Sequence, residues 1–249
     1  MTTHQPVNPF YANRQSRPKR SELRPPSRYA KLPQAPITGS PVPRLTSLYH
    51  HEDAGPYGDR RYPGNCSGEI IKDVLTFFQP ASVFDPMSGS GTCTDVCRAL
   101  NIPCVASDIH TGFDACDPKH YAPDDLFDFI WAHPAYWRMK LYADDARDLS
   151  RSPTLEDFLC RYGRFIRNAA TALKPGGRLA ILMGDYTDRE AGFVPLTYHT
   201  KRLAFAAGLS QCCTDIIRFS HGASSGQKVY QSSFIPGLHD TLTVFQKVV

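Results

Sequence analysis

The sequence predicts an α/β protein built on a doubly wound, mainly parallel sheet. Short apolar runs alternate with stretches whose apolar residues recur at helical spacing, a pattern typical of that class. Two polar turns, residues 85–92 and 133–137, each close one of the apolar runs. Because the carboxyl ends of the strands in an open α/β sheet line one crevice, we expect both turns to face the same ligand site.

The helices and strands follow from local signals. Ser67 stands where an N-cap precedes apolar residues at helical spacing, and Pro80 ends that helix. A later helix is predicted after Thr154, which forms a capping-box pattern with Asp157 and precedes a broad apolar face. Strands are predicted at about residues 82–85, 104–108, 127–132, 178–184, 212–219 and 241–247.

The first turn has the composition of a nucleotide-binding loop. Gly89 and Gly91 permit positive φ and let the backbone approach a ligand, while Asp85 offers a carboxylate at the strand tip. Asp108 ends the next apolar run, about where a ribose-binding acid is found after such a turn. The pattern indicates a nucleoside-containing cofactor. A tight strand-to-helix connection, with Asp108 as a solvated strand end, would give the same residues.

The two turns together resemble a known enzyme family. The first, DPMSGSGT, is similar to motif I of the amino-directed DNA methyltransferases, and HPAYW resembles their catalytic motif, Asp/Asn/Ser-Pro-Pro-Tyr/Phe/Trp. Residues 62–68 and 173–178 resemble further family segments in the same order, so the likeness runs from about Tyr62 to the end of the chain. It implies a Rossmann-like, seven-stranded sheet with an antiparallel edge strand and S-adenosylmethionine as cofactor.

The resemblance also assigns roles to residues. Its catalytic positions fall on His133, Pro134, Tyr136 and Trp137. The first side chain and the carbonyl of the proline would accept the hydrogens of an exocyclic base amine, Tyr136 would stack on the flipped base, and Trp137 would extend the pocket wall. Its cofactor-binding positions fall on Asn65, Asp85, Pro86, Ser88, Gly89, Gly91, Thr92, Asp108 and Ile109.

The catalytic turn departs from the family pattern twice. His133 replaces the usual Asp, Asn or Ser, and Ala135 replaces the second proline. Neutral histidine accepts a hydrogen bond but imidazolium does not, so we expect activity to fall as His133 becomes protonated. The alternative is that His133 only caps a strand and that the protein binds cofactor without turnover.

Charge divides the chain into two parts. Residues 1–44 hold eight Lys or Arg and one acid, a net +7, which leaves −3 for residues 45–249 given the total of +4. The same segment has nine prolines and little apolar periodicity, so we expect a disordered basic arm followed by a methyltransferase domain. Such an arm can bind phosphate backbones. A solubilising or processed tail is the alternative, and the prolines disfavour a transit peptide.

The expected substrate is DNA, methylated on adenine N6 or cytosine N4. Candidate contacts are Arg138 and Lys140, after the catalytic turn, and Lys228 in the loop of residues 220–228, which has the composition of a backbone-following loop or of an ordinary mobile hairpin loop. Single-stranded DNA and RNA remain open as partners, since related RNA enzymes share both turns. A non-catalytic nucleic-acid-binding module is the third alternative.

The remaining composition argues against several other classes. No apolar run is long enough to span a bilayer and no secretory signal is evident, so we expect a soluble, cytoplasmic protein without membrane contact. The eight cysteines include no Cys-x-x-Cys pair, and Cys93 and Cys97, one helical turn apart, are expected to be small buried hydrophobes rather than metal ligands. The sequence leaves the oligomeric state open.

Overall fold

The structure is a computed structural model that describes residues 38–124, 126–219, 235 and 237–248. Most of the expected arm (residues 1–37) and the loop of residues 220–228 with Lys228 lie outside the described residues. Of the arm, residues 38–44 are described; Val42 is buried, and Arg44 contacts the first helix. In the described ranges, no helix is both long enough and apolar enough to cross a membrane.

The described chain forms four α-helices and ten strands. The helices are α1 (Gly68–Phe78), α2 (Thr92–Ala99), α3 (Leu155–Ala172) and α4 (Leu196–Ala206). The strands are β1 (Leu48–Tyr49), β2 (Val83–Asp85), β3 (Cys104–Ala106), β4 (Phe127–Ala132), β5 (Leu173–Met183), β6 (Tyr186–Asp188), β7 (Gly192–Val194), β8 (Leu209–Gln211), β9 (Ile216–Phe219) and β10 (His239–Lys247).

The main sheet confirms the predicted fold class. Its order is β1-β9-β10-β5-β4-β2-β3, with β8 also paired to β10. Strands β3, β2, β4 and β5 are mutually parallel, and β10 runs antiparallel to β5, β8 and β9. This sheet has eight strands among the described residues where seven were expected. The strand expected at 212–219 is shorter in the structure, where β9 covers only Ile216–Phe219. A separate short strand, β8, precedes it, and the two-residue β1 adds to the far edge.

Two hydrophobic layers cover the sheet, as a doubly wound fold requires. One layer packs α3 and α4 on the sheet through a stack of aromatic rings, including Phe158, Tyr162 and Phe165. The other packs α1 and α2 on the opposite face through Ile70, Val74 and side chains of α2. The inner strands β2 and β4 are therefore largely buried, which explains why they are mostly apolar, whereas β3 at the edge of the sheet is partly exposed.

The helix starts follow the predicted capping signals. The Ser67 hydroxyl accepts a hydrogen bond from the backbone N–H of Glu69 at the start of α1. The Thr154 hydroxyl accepts from the N–H of Asp157 at 3.1 Å and donates to its carboxylate at 2.9 Å. The bonds from Glu69 and Asp157 satisfy backbone N–H groups that the helices themselves leave unpaired.

The strand register brings the two turns to one edge. Strands β2 and β4 are adjacent and parallel, with Phe84 opposite Ile130. The turn after β2 begins at Asp85, and the turn after β4 begins at His133. Because parallel neighbours end on the same side of a sheet, both turns leave at the same edge.

A buried carboxylate holds the start of the described chain to α1. Asp73, 2% exposed, accepts two hydrogen bonds of 2.6 Å from the Arg44 guanidinium and one of 2.8 Å from the hydroxyl of Tyr49. Two parallel N–H···O bonds to one carboxylate make a geometrically specific pair. Arg44 is therefore engaged within the protein, although the sequence placed it with the cations of the arm.

We predict that Asp73→Ala lowers the free energy of unfolding by about 2 kcal/mol, because it leaves the buried Tyr49 hydroxyl without its acceptor. Chemical denaturation of both proteins measures the difference. The control is Asp59→Ala, which removes an exposed ion pair with Arg61 and should lower the free energy of unfolding much less, because solvent screens that pair. Equal losses in the two variants would contradict the role given to Asp73.

Candidate active site

One cavity opens where the two turns meet. It is open to solvent, and the empty space in and in front of it amounts to about 850 Å³. Its wall includes the glycine-rich turn on one side and His133 and Ala135 on the other. Among the expected cofactor residues, the wall contains Asn65, Asp85, Pro86, Ser88, Gly89, Thr92, Asp108 and Ile109. Gly91 is not part of the wall; it is the N-cap of α2, at φ +83°. The structure thus brings the two turns together on a shared space.

The glycines of the turn act through conformation. The N–H of Gly89 donates to the Asp108 carboxylate at 3.0 Å, and the N–H of Gly91 donates to the Ser88 carbonyl at 2.8 Å. These two N–H groups are directed at protein acceptors, whereas the sequence suggested that they would approach a ligand. The positive φ of both residues is what glycine supplies here.

Asp108 joins two parts of the cavity wall. One carboxylate oxygen accepts from the N–H of Gly89. The other accepts from the N–H of His110, and through this bond Asp108 caps a short 3₁₀ turn. A carboxylate has about four acceptor positions, so both oxygens can still accept from a ligand hydroxyl. The side chain is fixed from two sides before any ligand binds.

Burial changes the acid chemistry of Asp85. The side chain is 3% exposed, and one oxygen accepts from the N–H of Met87 at 3.1 Å. Loss of solvent raises the pKa of this carboxyl well above its ordinary value, and the hydrogen bond from Met87 only partly opposes that effect. A positively charged ligand beside Asp85 would therefore stabilise its ionised form.

The segment before α1 covers the glycine-rich turn. Asn65 accepts a short hydrogen bond from the Thr92 hydroxyl and donates to the carbonyl of Asp59. The Tyr62 ring lies so close to Gly89 that a Cβ there would be 3.0 Å from it. Burial raises the pKa of Tyr62 to about 12, so the phenol stays neutral near pH 7.

The loop after the catalytic turn supplies wall residues that the motifs did not identify. Tyr142 stacks on Tyr62 with ring centroids 6.2 Å apart, and Arg147 and Asp148 also line the cavity. Asp148 is buried and accepts from the N–H groups of Ala143 and Ser150 and from the Ser150 hydroxyl. This carboxylate folds the loop back over the cavity. The acid-rich run of residues 144–148 gave no indication of which acid would be buried.

His133 and Tyr136 form one polar unit at the cavity edge. His133 Nε2 lies 3.1 Å from the Tyr136 hydroxyl, and the two rings meet edge to face with centroids 5.6 Å apart. Tyr136 itself is half-buried and is not in the cavity wall. Burial holds the pKa of its phenol well above the ordinary value.

Tyr136 is positioned by Gly184, which follows β5, and by the neighbouring Asp240 at the start of β10. A Cβ on Gly184 would lie 2.8 Å from the Tyr136 ring and 2.7 Å from the Asp240 carboxylate. Asp240 in turn accepts a hydrogen bond from Arg218, which is 4% exposed. Motif analysis missed this buried ion pair because both partners lie far from the catalytic turn in sequence.

Two of the expected catalytic residues are turned into the protein. Trp137 is 3% exposed, donates from its indole N–H to the Ser152 carbonyl at 3.0 Å and belongs to the core, so the expectation that it extends the pocket wall is wrong. Its φ of +49° is costly for a bulky residue and directs the ring inward. Pro134 is buried and is not among the wall residues either.

Of the residues expected to contact nucleic acid, Arg138 is engaged by carboxylates of the protein and Lys140 is exposed. Arg138 donates to Asp188 at 2.9 and 2.7 Å and to Glu190 at 2.6 Å, which ties the catalytic turn to the β6–β7 hairpin. The arginine holds the pKa of Asp188 well below its ordinary value. Two carboxylates thus neutralise Arg138, and its contact with a phosphate backbone stays a prediction.

Comparisons with known proteins find similarity in overall structure. No family model matches the chain, and the comparison with curated proteins gives no match either. TrmN from Thermus thermophilus is 20% identical with a TM-score of 0.44, over 75% of this chain and 50% of that one. A second protein of Thermus thermophilus, provisionally assigned as a DNA modification methylase and in complex with S-adenosyl-L-methionine, is 20% identical with a TM-score of 0.40, over 55% and 54%.

A third similar structure has a different substrate. The 1,6-didemethyltoxoflavin-N1-methyltransferase of Burkholderia thailandensis, with bound S-adenosylhomocysteine, is 16% identical with a TM-score of 0.43, over 73% of this chain and 78% of that one. The chain spans about half the length of the two Thermus proteins. At these scores the similarities carry no argument about activity, which depends on the site itself.

We predict that Gly184→Ala lowers the free energy of unfolding by about 1–3 kcal/mol, because the new methyl group must displace Tyr136 or Asp240. The control is Gly39→Ala, where nothing lies within 4 Å of the added Cβ. Chemical denaturation of the two variants measures the contrast. A Gly184→Ala protein as stable as the control would show that Tyr136 is not packed on this glycine.

Proposed function

We propose that this protein is an S-adenosylmethionine-dependent methyltransferase that acts on an exocyclic base amine, adenine N6 or cytosine N4, in DNA. The observation that carries the proposal is the shared cavity. The glycine-rich turn after β2 and the His-Pro-Ala-Tyr turn after β4 border the same space, with Asp85 and Asp108 on one side and His133 on the other. A group-transfer site needs donor and acceptor held side by side in this way.

The cavity wall fits the proposed cofactor. It combines apolar side chains such as Ile109 and Phe113 with a few carboxylates, the mixture that is typical of small-molecule sites. Asp108 can accept from ribose hydroxyls, and the buried Asp85 is suited to the positively charged methionine end. When bound, the cofactor supplies an electrophilic methyl group.

The residues of the catalytic turn suit an amine substrate. A base amine is a weak nucleophile because its lone pair is delocalised, so acceptors for its hydrogens and a fixed approach direction favour transfer. His133 can accept one hydrogen through a neutral ring nitrogen, and the Pro134 carbonyl is the second proposed acceptor. Tyr136, held at 3.1 Å from His133, is the proposed stacking surface for the flipped base.

DNA as the polymer rests on the sequence resemblance. The cations proposed to contact it are Lys140 and, outside the described residues, Lys228 and the basic arm. The carboxylates around Arg138 make that residue a positioning residue for the catalytic turn in this proposal, with phosphate contact as a secondary role. Methylation of RNA and cofactor binding without turnover are outcomes that the experiments below distinguish.

We predict that affinity for S-adenosylmethionine rises as pH rises through the raised pKa of Asp85. A buried carboxyl that is protonated in the free protein must lose its proton to pair with a cationic ligand, so binding releases protons. Isothermal titration calorimetry at several pH values measures the trend. Asp85→Asn should bind more weakly and without this trend, and a wild-type affinity that falls as pH rises would contradict the role of Asp85.

We predict that His133→Ala and Tyr136→Ala each lower the methyl-transfer rate by about 100-fold or more while cofactor affinity changes little. The assay uses labelled cofactor with separate DNA and RNA pools, followed by nucleoside mass spectrometry. The control is Tyr198→Ala, an exposed tyrosine on α4 that should keep the wild-type rate. Rates equal to wild type in both loop variants would remove this turn from the mechanism.

A further variant separates hydrogen-bond acceptance from other roles of His133. Asn accepts through its side-chain oxygen at any pH, so His133→Asn should retain activity in acid, where we expect the wild-type rate to fall. Rate profiles against pH for the two proteins test this. A product found only in the RNA pool would reassign the polymer, and cofactor binding without any methylated nucleoside would leave the protein a binding module.

A further inference from the structure

Three cysteine thiols converge behind the glycine-rich turn. Cys93 and Cys97 are four residues apart on α2 and so share one face of that helix, and Cys104 is the first residue of β3. The three Sγ atoms all lie within 4.8 Å of one another. Sequence spacing predicted only that Cys93 and Cys97 lie close together. Cys104 joins them because α2 packs beside β3.

None of the three cluster cysteines is among the residues proposed for methyl transfer, but the cluster lies next to the cavity that those residues line. Cys93 and Cys97 are 1% and 0% exposed, and Cys104 is half-buried, so the cluster is shielded yet reachable from one side. Cys93 also forms part of the cavity wall and follows Thr92, the first residue of α2. A ligand held by these thiols would fix the start of α2.

The distances fit a tetrahedral thiolate site. A Zn–S bond is about 2.3 Å, which places the sulfurs of a tetrahedral site about 3.8 Å apart. Because no pair of these sulfurs is more than 4.8 Å apart, a closure of at most about 1 Å, shared between two side chains, brings them to that spacing. As ordinary packing residues, the same thiols would gain only weak S–H hydrogen bonds from lying together.

The position of Cys93 favours the thiolate form that metal binding requires. It lies in the first turn of α2, where the helix dipole favours negative charge.

We propose that Cys93, Cys97 and Cys104 bind one thiophilic divalent ion of the Zn²⁺ type, with water in the fourth position. The ion cross-links α2 to β3 beneath the cofactor turn. Each thiol that coordinates gives its proton to solvent, so metal affinity rises with pH. This site is independent of the proposed methyl transfer, and its presence or absence leaves that activity to be judged separately.

Cobalt titration of the reduced, metal-free full-length protein tests the proposal. We expect one equivalent of Co²⁺ to produce a sulfur-to-cobalt charge-transfer band, and Zn²⁺ to displace it. Cys93→Ser, Cys97→Ser and Cys104→Ser should each weaken binding by at least about 100-fold. Cys160→Ser, at an exposed position on α3, and the double variant Cys212→Ser/Cys213→Ser should bind as wild type does.

A measurement on the unaltered protein guards against variants that fail to fold. Alkylation with and without Zn²⁺, mapped by peptide mass spectrometry, should show protection of the three cluster cysteines by the metal. Absence of the charge-transfer band at stoichiometric cobalt would overturn the proposal. Protection of other cysteines in place of these three, or wild-type affinity in any of the three serine variants, would overturn it as well.

Discussion

The parallel pairing of β2 with β4 is the constraint on which the site depends. Strand β2 has three residues, and its register places Phe84 opposite Ile130 with buried side chains on both faces. A slip of one residue would turn core side chains toward the wrong face, so burial fixes this register strongly. With the register fixed, the turns that begin at Asp85 and His133 must leave the sheet beside each other.

Beyond the strand ends, buried and partly buried carboxylates hold several of the loop backbones. Asp108 joins the glycine-rich turn to the turn after β3, Asp148 folds the loop of residues 142–150, and Asp188 binds Arg138. Each of these acids accepts several N–H bonds, which are strong because one partner is charged. The arrangement fixes loop backbones at the cavity without filling the cavity with side chains.

The turn after β4, residues 133–137, combines backbone strain with fixed partners. Trp137 adopts a positive φ and is held by its bond to Ser152 and by the Arg138 guanidinium, 4.5 Å above its ring. Backbone strain of this kind persists only where surrounding contacts outweigh its cost. Residues of the same turn therefore lie in different surroundings. His133 and Ala135 line the cavity, while Trp137 packs in the core and anchors the turn there.

The sequence predicted what depends on local pattern and missed what depends on packing. The carboxyl ends of β2 and β4, the Ser67 and Thr154 caps and the glycine-rich turn follow from neighbouring residues, and the structure has them where expected. Other strand bounds differ: the strand expected from residue 178 begins at Leu173, and the one expected from residue 212 begins at Ile216. The wall position of Tyr142 and the meeting of Cys104 with the α2 cysteines are set by contacts between distant segments. The inward orientation of Trp137 accompanies a positive φ, and a tryptophan in the sequence does not predict that backbone conformation.

The proposed function requires that methyl donor and acceptor occupy one cavity between the two turns. A crystal structure of the protein soaked with S-adenosylhomocysteine would show where the donor binds. We expect the ribose hydroxyls at Asp108 and the cofactor sulfur facing the space beside His133. A cofactor bound elsewhere, or bound with its sulfur directed away from His133, would contradict it.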